Sequence, residues 1–469
     1  RNESGSKTGL SYLKSLGITH LHLLPCNDIG SIDERNPTYN WGYDPLHYFA
    51  LEGSYATDPY EPATRIREFK SMVQAIHQQG IRIVMDVVFN HTYYTEKSLF
   101  EQLAPGQYYR FEADGSFADG SSCGNEIASE QPRVRQLLLD CLLFWVNEYH
   151  IDGFRFDLMG LIDLDTMNLV SEKLHAIRPD LLLYGEGWAG GSTPYPAEKR
   201  AIKENLDKLN QIAVFSDDIR DALKGKVFHP EQKGFVSGGT GLDEIIRAAV
   251  VASCAHTQID YEQVNHRKQA VARQPWQVIN YADCHDNHTL WDRLQLSCSE
   301  YSETDRKKML QLALTIVLTA QGVPFLQAGT EFLRSKQGVE NSYKSNDHIN
   351  AIDWNQLTKH LDLVTYIQQL IQLRRSHPAF RLRTALQLQQ VVQFDDQAPV
   401  GSVIYLLHGS LANDSWKRIW VAYNGNAQPI THQLPIGNWQ TAIQSDAETV
   451  LLDHLIRISA FAAVILYED

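Results

Sequence analysis

Seven short apolar runs, each closed by polar residues or a turn and separated by stretches of helical periodicity, constrain this chain more than any other feature. They are THLHLLP from Thr19, IRIVMDVV from Ile81, IDGFRFD from Ile151, LLLYGE from Leu181, IAVFSDD from Ile212, WQVINYAD from Trp276 and VPFLQAG from Val323. Apolar runs flanked by amphipathic helices are what a parallel α/β sheet, covered on both faces, demands of its strands. Helices are expected over TGLSYLKSLG, TRIREFKSMVQAIHQQG, PRVRQLLLDCLLFWVNEY, LDTMNLVSEKLHAI, LDEIIRAAVVA, DRKKMLQLALTIVLTA and LVTYIQQLIQLRRSH. A closed (β/α)8 barrel needs eight strands, and here a helix comes first. The expected fold class is therefore α/β, a (β/α)8 TIM barrel without its first strand. From about Leu386 the texture changes to strand-like runs, ALQLQQVVQF, VIYLLHG, RIWVAYN and FAAVILYE, separated by turn residues. Residues 1–383 are thus expected to form the barrel and residues 384–469 a C-terminal antiparallel β-sandwich.

At 469 residues, 43% hydrophobic and 21% charged, the chain has the composition of an ordinary globular protein, and no window offers the roughly 18 apolar residues that cross a bilayer. A soluble protein without a membrane partner is expected. A formal charge of −14 argues against nucleic acid, whose binders collect Lys and Arg on one face. Six cysteines lie scattered without C-x-x-C spacing, so free thiols are expected rather than a zinc site or a disulfide framework. The start, RNESGSKTGL, has neither an apolar leader nor an initiator Met, and residues upstream are expected to be missing. Unpaired cysteines and the lack of a C-terminal anchor make cytoplasmic the expected location.

Four of the expected strands end at or near a carboxylate: Asp86, Asp157, Glu186 and Asp286. Parallel barrel strands open their C-terminal ends on one face, so these acids should converge. A single strand-terminal acid often caps the next helix. Four together, with Arg155 and His285 beside two of them, are harder to attribute to caps, since a buried carboxylate without a partner costs several kcal/mol or more. Arg155 and Asp157 stand two apart on a strand and face the same side. A guanidinium there favours the ionised carboxylate and fixes its orientation, as a nucleophile needs, although a purely structural ion pair would look the same. Glu186 lies between Gly185, Gly187 and Trp188, and an aromatic neighbour can keep an acid protonated by desolvation. One acid ionised and one neutral is the division of labour of retaining glycoside hydrolysis.

GEGWAG from Gly185 also matches G-x-G-x-x-G, but GSTPYP follows it, where a dinucleotide site needs a helix at once. The run NHT at Asn90 and Asn287 matches a glycosylation acceptor but falls at strand ends facing the expected pocket. Aromatic residues are dense near that mouth, with Tyr39, Trp41, Tyr43, Tyr108, Tyr109, Trp188 and Trp291. Singly each is more often packing; as a group beside acids they suit sugar rings. Clustered oxygens would admit a structural calcium, but no EF-hand loop or HExxH run indicates a metal, and no cofactor is expected.

DVVFNH at Asp86, GFRFDLMG at Gly153, GEGW at Gly185 and CHDN at Cys284 resemble, in order and at strand ends, the four characteristic regions of the α-amylase family of glycoside hydrolases. YNWGYDP at Tyr39 is similar to the hallmark of its type I pullulanase branch, which cuts α-1,6 linkages, and EGSYATDPY and SCGNEIASE extend the likeness along the chain. The resemblance implies Asp157 as nucleophile, Glu186 as general acid/base, and Asp286 as a third carboxylate gripping sugar hydroxyls. It implies that Arg155 orients Asp157, that His91 and His285 bond the sugar at the cleavage subsite, that Tyr43 stacks beneath it, and that Trp188 lies on the leaving-group side. Trp41, Asp86 and, further out, Asp347 complete the expected substrate contacts, with Asp86 and Asn90 as apt to brace the site as to touch substrate. The implied activity is retaining hydrolysis of α-1,6 branch linkages in pullulan, limit dextrin and amylopectin- or glycogen-type α-glucans, by a monomer whose partner is the glucan. The resemblance implies β-domains upstream and a first barrel strand, both of which are expected to be missing ahead of Thr8. The alternatives are a glucan-binding fragment with impaired catalysis and a family member acting on α-1,4 linkages.

Overall fold

The computed structural model describes residues 1–265 and 267–469 of the chain. Seven parallel strands occur among the described residues: His20–Leu23 (β1), Arg82–Val87 (β2), Gly153–Phe156 (β3), Leu182–Gly185 (β4), Ala213–Phe215 (β5), Val278–Asn280 (β6) and Val323–Pro324 (β7). Every one falls inside a run expected from sequence. Two compact units share them. The first comprises Ile18–Phe215 with Tyr343–Asp347, and the second Arg1–Gly17, Ser216–Ser342 and His348–Asp469.

In the first unit β1 to β5 lie side by side in chain order, all parallel. Proline opens the two long helices that follow, Pro62–Gln78 and Pro132–Tyr149, where its missing N–H costs nothing. The second of these buries Val134, Leu138, Leu142, Trp145 and Tyr149, a stripe at helical spacing, and Trp145 Nε1 donates to the Tyr48 carbonyl of the strand Pro45–Leu51. The register pairs Asp86 with Arg155 and Arg155 with Tyr184, so polar groups from three strands meet in one row near their C-terminal ends. An antiparallel pair, Asn27–Ile29 with Pro45–Leu51, follows β1 and carries YNWGYDP between its strands. Gly42 sits at φ +97°, and a Cβ there would lie 2.9 Å from the Pro25 carbonyl, so this turn requires glycine.

The second unit holds β6 and β7, paired in parallel, and an antiparallel sandwich. A five-stranded sheet (Val392–Phe394, Ser402–Leu407, Arg418–Asn424, Ala462–Glu468, Gln440–Gln444) and a three-stranded sheet (Ile430–Gln433, Leu455–Ile458, Val450–Leu452) enclose Ile404, Trp420, Ala422, Ile456, Ile458, Val464 and Leu466. The N-terminal helix Gly9–Leu16 lies against the helix Leu361–Ser376, where Gln368 and Arg375 donate to the carbonyls of Ser15 and Gly17. One expected strand is instead mostly a helix: ALQLQQVVQF gives Ala385–Val391 and only then the strand Val392–Phe394. Thr384 accepts from Gln387 N and the Gln387 side chain accepts from Thr384 N, a capping box that outweighs the alternating pattern. Among the helices absent from the expectation, Asp217–Lys224 and Leu290–Ser297 begin likewise at capped residues, Ser216 and Thr289. No helix among the described residues is long and apolar enough to cross a membrane.

At the N-terminal end of β3, Asp152 accepts from Ile83 N (2.8 Å), His77 Nε2 (2.7 Å) and Arg178 Nη2 (2.6 Å). Burial works against its charge, yet these donors hold its carboxyl below the ordinary range. Asp152→Ala should cost about 2–3 kcal/mol of stability in urea unfolding. Turnover per folded molecule should stay unchanged, because the residue sits at the end of the strand opposite Asp157.

Candidate active site

Arg155 projects from β3 and is 2% exposed. Its Nη1 lies 2.9 and 3.0 Å from the two oxygens of Asp86 and 2.8 Å from Asp157 Oδ1, and its Nη2 lies 2.6 Å from Glu186 Oε1. One guanidinium thus touches three carboxylates, from β2, from the turn after β3 and from the end of β4. All three are buried. Asp86 also accepts from the Tyr43 hydroxyl (2.6 Å), and His22 Nε2 lies 3.2 Å from it, with Tyr184 O–H 3.1 Å from the other ring nitrogen. Burial pushes the Asp86 carboxyl up, but Arg155, His22 and Tyr43 outweigh it and hold the group at about 2. Asp86 is therefore a fixed negative charge at any physiological pH.

Asp157 is oriented from two sides. Asn90 Nδ2 donates to Asp157 Oδ2 (2.8 Å) and to its carbonyl (2.9 Å), while Arg155 takes Oδ1. Leu158, next in the chain, is left-handed at φ 39°, an uncommon state for a branched residue, and its N–H donates to Glu186 Oε2 (2.9 Å). Glu186 thus meets a guanidinium and an amide, not chiefly the aromatic surface expected from Trp188. Two residues on, Gly160 N donates to the carbonyls of Glu186 and Trp188, and a Cβ at Gly160 would lie 2.5 Å from the Trp188 backbone. The close approach that fixes the Glu186 segment exists only because residue 160 is glycine.

The other expected residues divide. In the first unit, His91 is 2% exposed, with its ring nitrogens 2.7 Å from Asn90 Oδ1 and 3.0 Å from the Tyr43 carbonyl. Burial pushes it down to about 4, against the pull of Asp44 and the Tyr43 carbonyl. A sugar hydroxyl would have to compete with those protein partners. Trp41 is 5% exposed and packs edge-on against Tyr343, so it is not an open stacking surface. Trp188 is half-buried, and Asp347 is exposed at the start of the short helix Asp347–Asn350. Tyr109 bonds Thr92 through its hydroxyl, Tyr108 stacks on Phe100, and Trp291 is buried in its helix, so these three are packing residues. His285 and Asp286 belong to the second unit, with His285 Nε2 3.5 Å from Asp286 Oδ2. Sequence reasoning missed His22, Tyr184 and Leu158. THLHLLP did carry a polar residue at the strand tip, whereas nothing marks Leu158, whose contribution is a backbone N–H.

Among the described residues, two groups have metal-ligating side chains within 4.8 Å of one another: Asp28, Glu34 and Glu52, and Cys284, His285 and Asp286. In the first, the Arg65 guanidinium lies 2.9 and 2.8 Å from the Glu34 oxygens, supplying the charge a cation would bring. Beside the second, the buried Lys336 ammonium lies 2.8 Å from the His285 carbonyl.

Residues 4–114 match the description of the α-amylase catalytic domain, and residues 388–447 that of the pullulanase all-beta domain. The crystal structure of the pullulanase from Paenibacillus barengoltzii, solved with maltohexaose and alpha-cyclodextrin, superposes on 100% of this chain and 72% of that one, with a TM-score of 0.93 and 43% identity. The chain belongs to the pullulanase family. The pullulanase of Bacillus subtilis strain 168 is 41% identical over 434 residues. That match covers 92% of this chain and 59% of the relative, so the chain spans about three fifths of that protein's length. The pullulanase of Anoxybacillus sp. LM18-11, solved with maltotetraose, matches with a TM-score of 0.92 and 40% identity over 99% of this chain and 66% of that one. Family membership accounts for the conjunction of a parallel α/β sheet, strand-end acids and an all-β C-terminal region.

The Asp86 result sets a test of the charge balance. Its folded pKa lies below the ordinary carboxylate value, so its stabilisation is complete above about pH 4 and is lost as pH falls through about 2. Asp86→Asn should cost about 3–5 kcal/mol at pH 6, since it removes one partner of a buried ion pair. It should also narrow the stability difference between pH 6 and pH 3, read by urea unfolding, by about 1 kcal/mol.

Proposed function

We propose that this chain hydrolyses α-1,6-glucosidic linkages in pullulan and branched α-glucans, with retention of anomeric configuration. The observation that carries the reading is the shared Arg155 guanidinium, 2.8 Å from Asp157 and 2.6 Å from Glu186, which sets two carboxylates at one place with different surroundings. Retaining glycosidases need two such groups close together. Asp157, locked by Asn90 and Arg155, is the nucleophile that attacks the anomeric carbon. Glu186 gives its proton to the departing 6-oxygen. Glu186 shares the Arg155 guanidinium with Asp86 and Asp157 and is the proton donor of the first step in this reading. Once Asp157 is esterified, one negative charge has gone. Glu186 can then hold the proton deficit and act as base toward water.

Asp286, by its place in CHDN, is assigned to holding sugar hydroxyls, and His285 joins it. Tyr43 keeps its hydroxyl on Asp86 and offers its ring to the sugar. The chemistry needs two carboxyl groups and water, and calls for no cofactor. The preference for α-1,6 over α-1,4 linkages rests on YNWGYDP and on the relatives being pullulanases.

Incubation with pullulan should release maltotriose, and linear amylose should stay intact. Asp157→Asn and Glu186→Gln should each lower turnover at least roughly a hundredfold while maltohexaose binding persists. Release of short maltooligosaccharides from amylose, or maltohexaose binding by the unmodified chain without hydrolysis of pullulan, would overturn the reading.

A further inference from the structure

The second unit buries two lysines that the proposed chemistry leaves unused. Lys224 and Lys336 are 3% and 1% exposed. Burying an ammonium costs several kcal/mol unless strong contacts compensate, so both positions need an explanation. Lys336 Nζ donates to the His285 carbonyl (2.8 Å), and Lys224 Nζ to the His288 carbonyl (3.4 Å). Between those carbonyls lie Asp286 and Asn287, the latter left-handed at φ 59°. The ends of the segment are tied separately: Asp283 Oδ2 accepts from Leu290 N (2.8 Å) and from Thr330 Oγ1 (2.9 Å). Lys336 is itself anchored, since its backbone N–H donates to Asp292 Oδ2 (2.7 Å) while Ser335 Oγ donates to the other oxygen (2.5 Å).

We propose that Lys336, seconded by Lys224, is a positioning residue that fixes the 284–288 turn and thereby presents His285 and Asp286 to a glucan. The inference rests on the reading of Asp286 as a sugar-holding acid. A charged donor on a turn carbonyl is a stronger tether than a neutral one, and it draws the carbonyl inward while leaving the Asp286 side chain, 45% exposed, turned to solvent. The ammonium also offsets the negative charges crowded there. Burial, then Arg334, push Lys336 down to about 8, while Cys284, Asp286 and Asp283 oppose the shift. Burial likewise pushes Lys224 down to about 8, against Asp283, with Arg220 and Arg293 adding to the fall. The charged tether is therefore present at neutral pH and fades as pH rises through about 8.

Lys336→Met and Lys336→Arg in the 469-residue chain test this. Lys336→Met should lower kcat/KM on pullulan roughly 10-fold to 100-fold, since small misplacements of a binding group carry penalties of that order. The alkaline limb of its pH profile should shift or disappear, with the thermal midpoint little changed, and Lys336→Arg should restore part of the activity. Maltohexaose affinity, measured by calorimetry in an Asp157→Asn background, should fall in parallel. Hydrogen exchange of the peptide covering residues 283–290 reads the turn without substrate. It should quicken in Lys336→Met, and in the unmodified chain should quicken beyond the intrinsic rate above about pH 8. That last arm needs no variant and holds even if Lys336→Met fails to fold or the α-1,6 reading fails. Exchange in the unmodified chain that follows only the intrinsic rate through pH 8, or wild-type kcat/KM and alkaline limb in Lys336→Met, would overturn the proposal.

Discussion

The guanidinium of Arg155 is the constraint on which the first unit's chemistry depends. A cation at 2% exposure needs strong acceptors around it, and three clustered carboxylates need a cation among them. Each makes the other's burial affordable. The parallel register of β2, β3 and β4 brings this about, since it sets Asp86 beside Arg155 and ends β4 at Gly185, immediately before Glu186. The two remaining neighbours of Asp86, Tyr43 and His22, reach it from the segment after β1 and from β1 itself. Fixing a single arginine thus fixes the relative placement of five side chains.

Much of this was legible in the sequence for a plain reason. Buried parallel strands are short apolar runs, so an acid or an arginine inside one stands out, and Asp86, Arg155, Asp157 and Glu186 all did. The strand positions followed from the same contrast. What the sequence concealed was of another kind. Leu158 contributes an amide whose direction depends on φ 39°, and a leucine gives no sign of that. His22 was visible as a polar residue in THLHLLP, but only the pairing of β1 with β2 shows that it reaches Asp86. The helix Ala385–Val391 was misread because Leu386 and Leu388 alternate with polar residues as in a strand, while the decisive signal, Thr384 with Gln387, occupies just two positions.

Several aromatic residues expected at the mouth proved to be packing, and the cause is also local. Tyr109, Trp41 and Trp291 are bulky enough that a fold burying them gains about 1.5–3 kcal/mol each, whereas a sugar platform must forgo that gain. Density of aromatics in a loop therefore predicts a folded, well-packed loop at least as strongly as a ligand surface. The hydroxyl of Tyr109 on Thr92 and the stack of Tyr108 on Phe100 keep the segment after His91 in place, and so support Asn90 indirectly.

The turn after β3 holds the two carboxyl groups to which the proposed reaction gives different roles. Asp157 is held on both oxygens, by Arg155 and by Asn90, so its orientation is set before any substrate arrives. Glu186 is held through Arg155 Nη2 and the Leu158 amide, and both contacts depend on a backbone strained at Leu158 and packed to glycine tolerance at Gly160. Arg155 holds both groups, and they differ in their second contact, a buried asparagine amide on Asp157 and a backbone N–H on Glu186. In the proposed reaction, what separates the group that attacks carbon from the group that transfers the proton is therefore that second contact, a side-chain amide in one case and a main-chain N–H in the other.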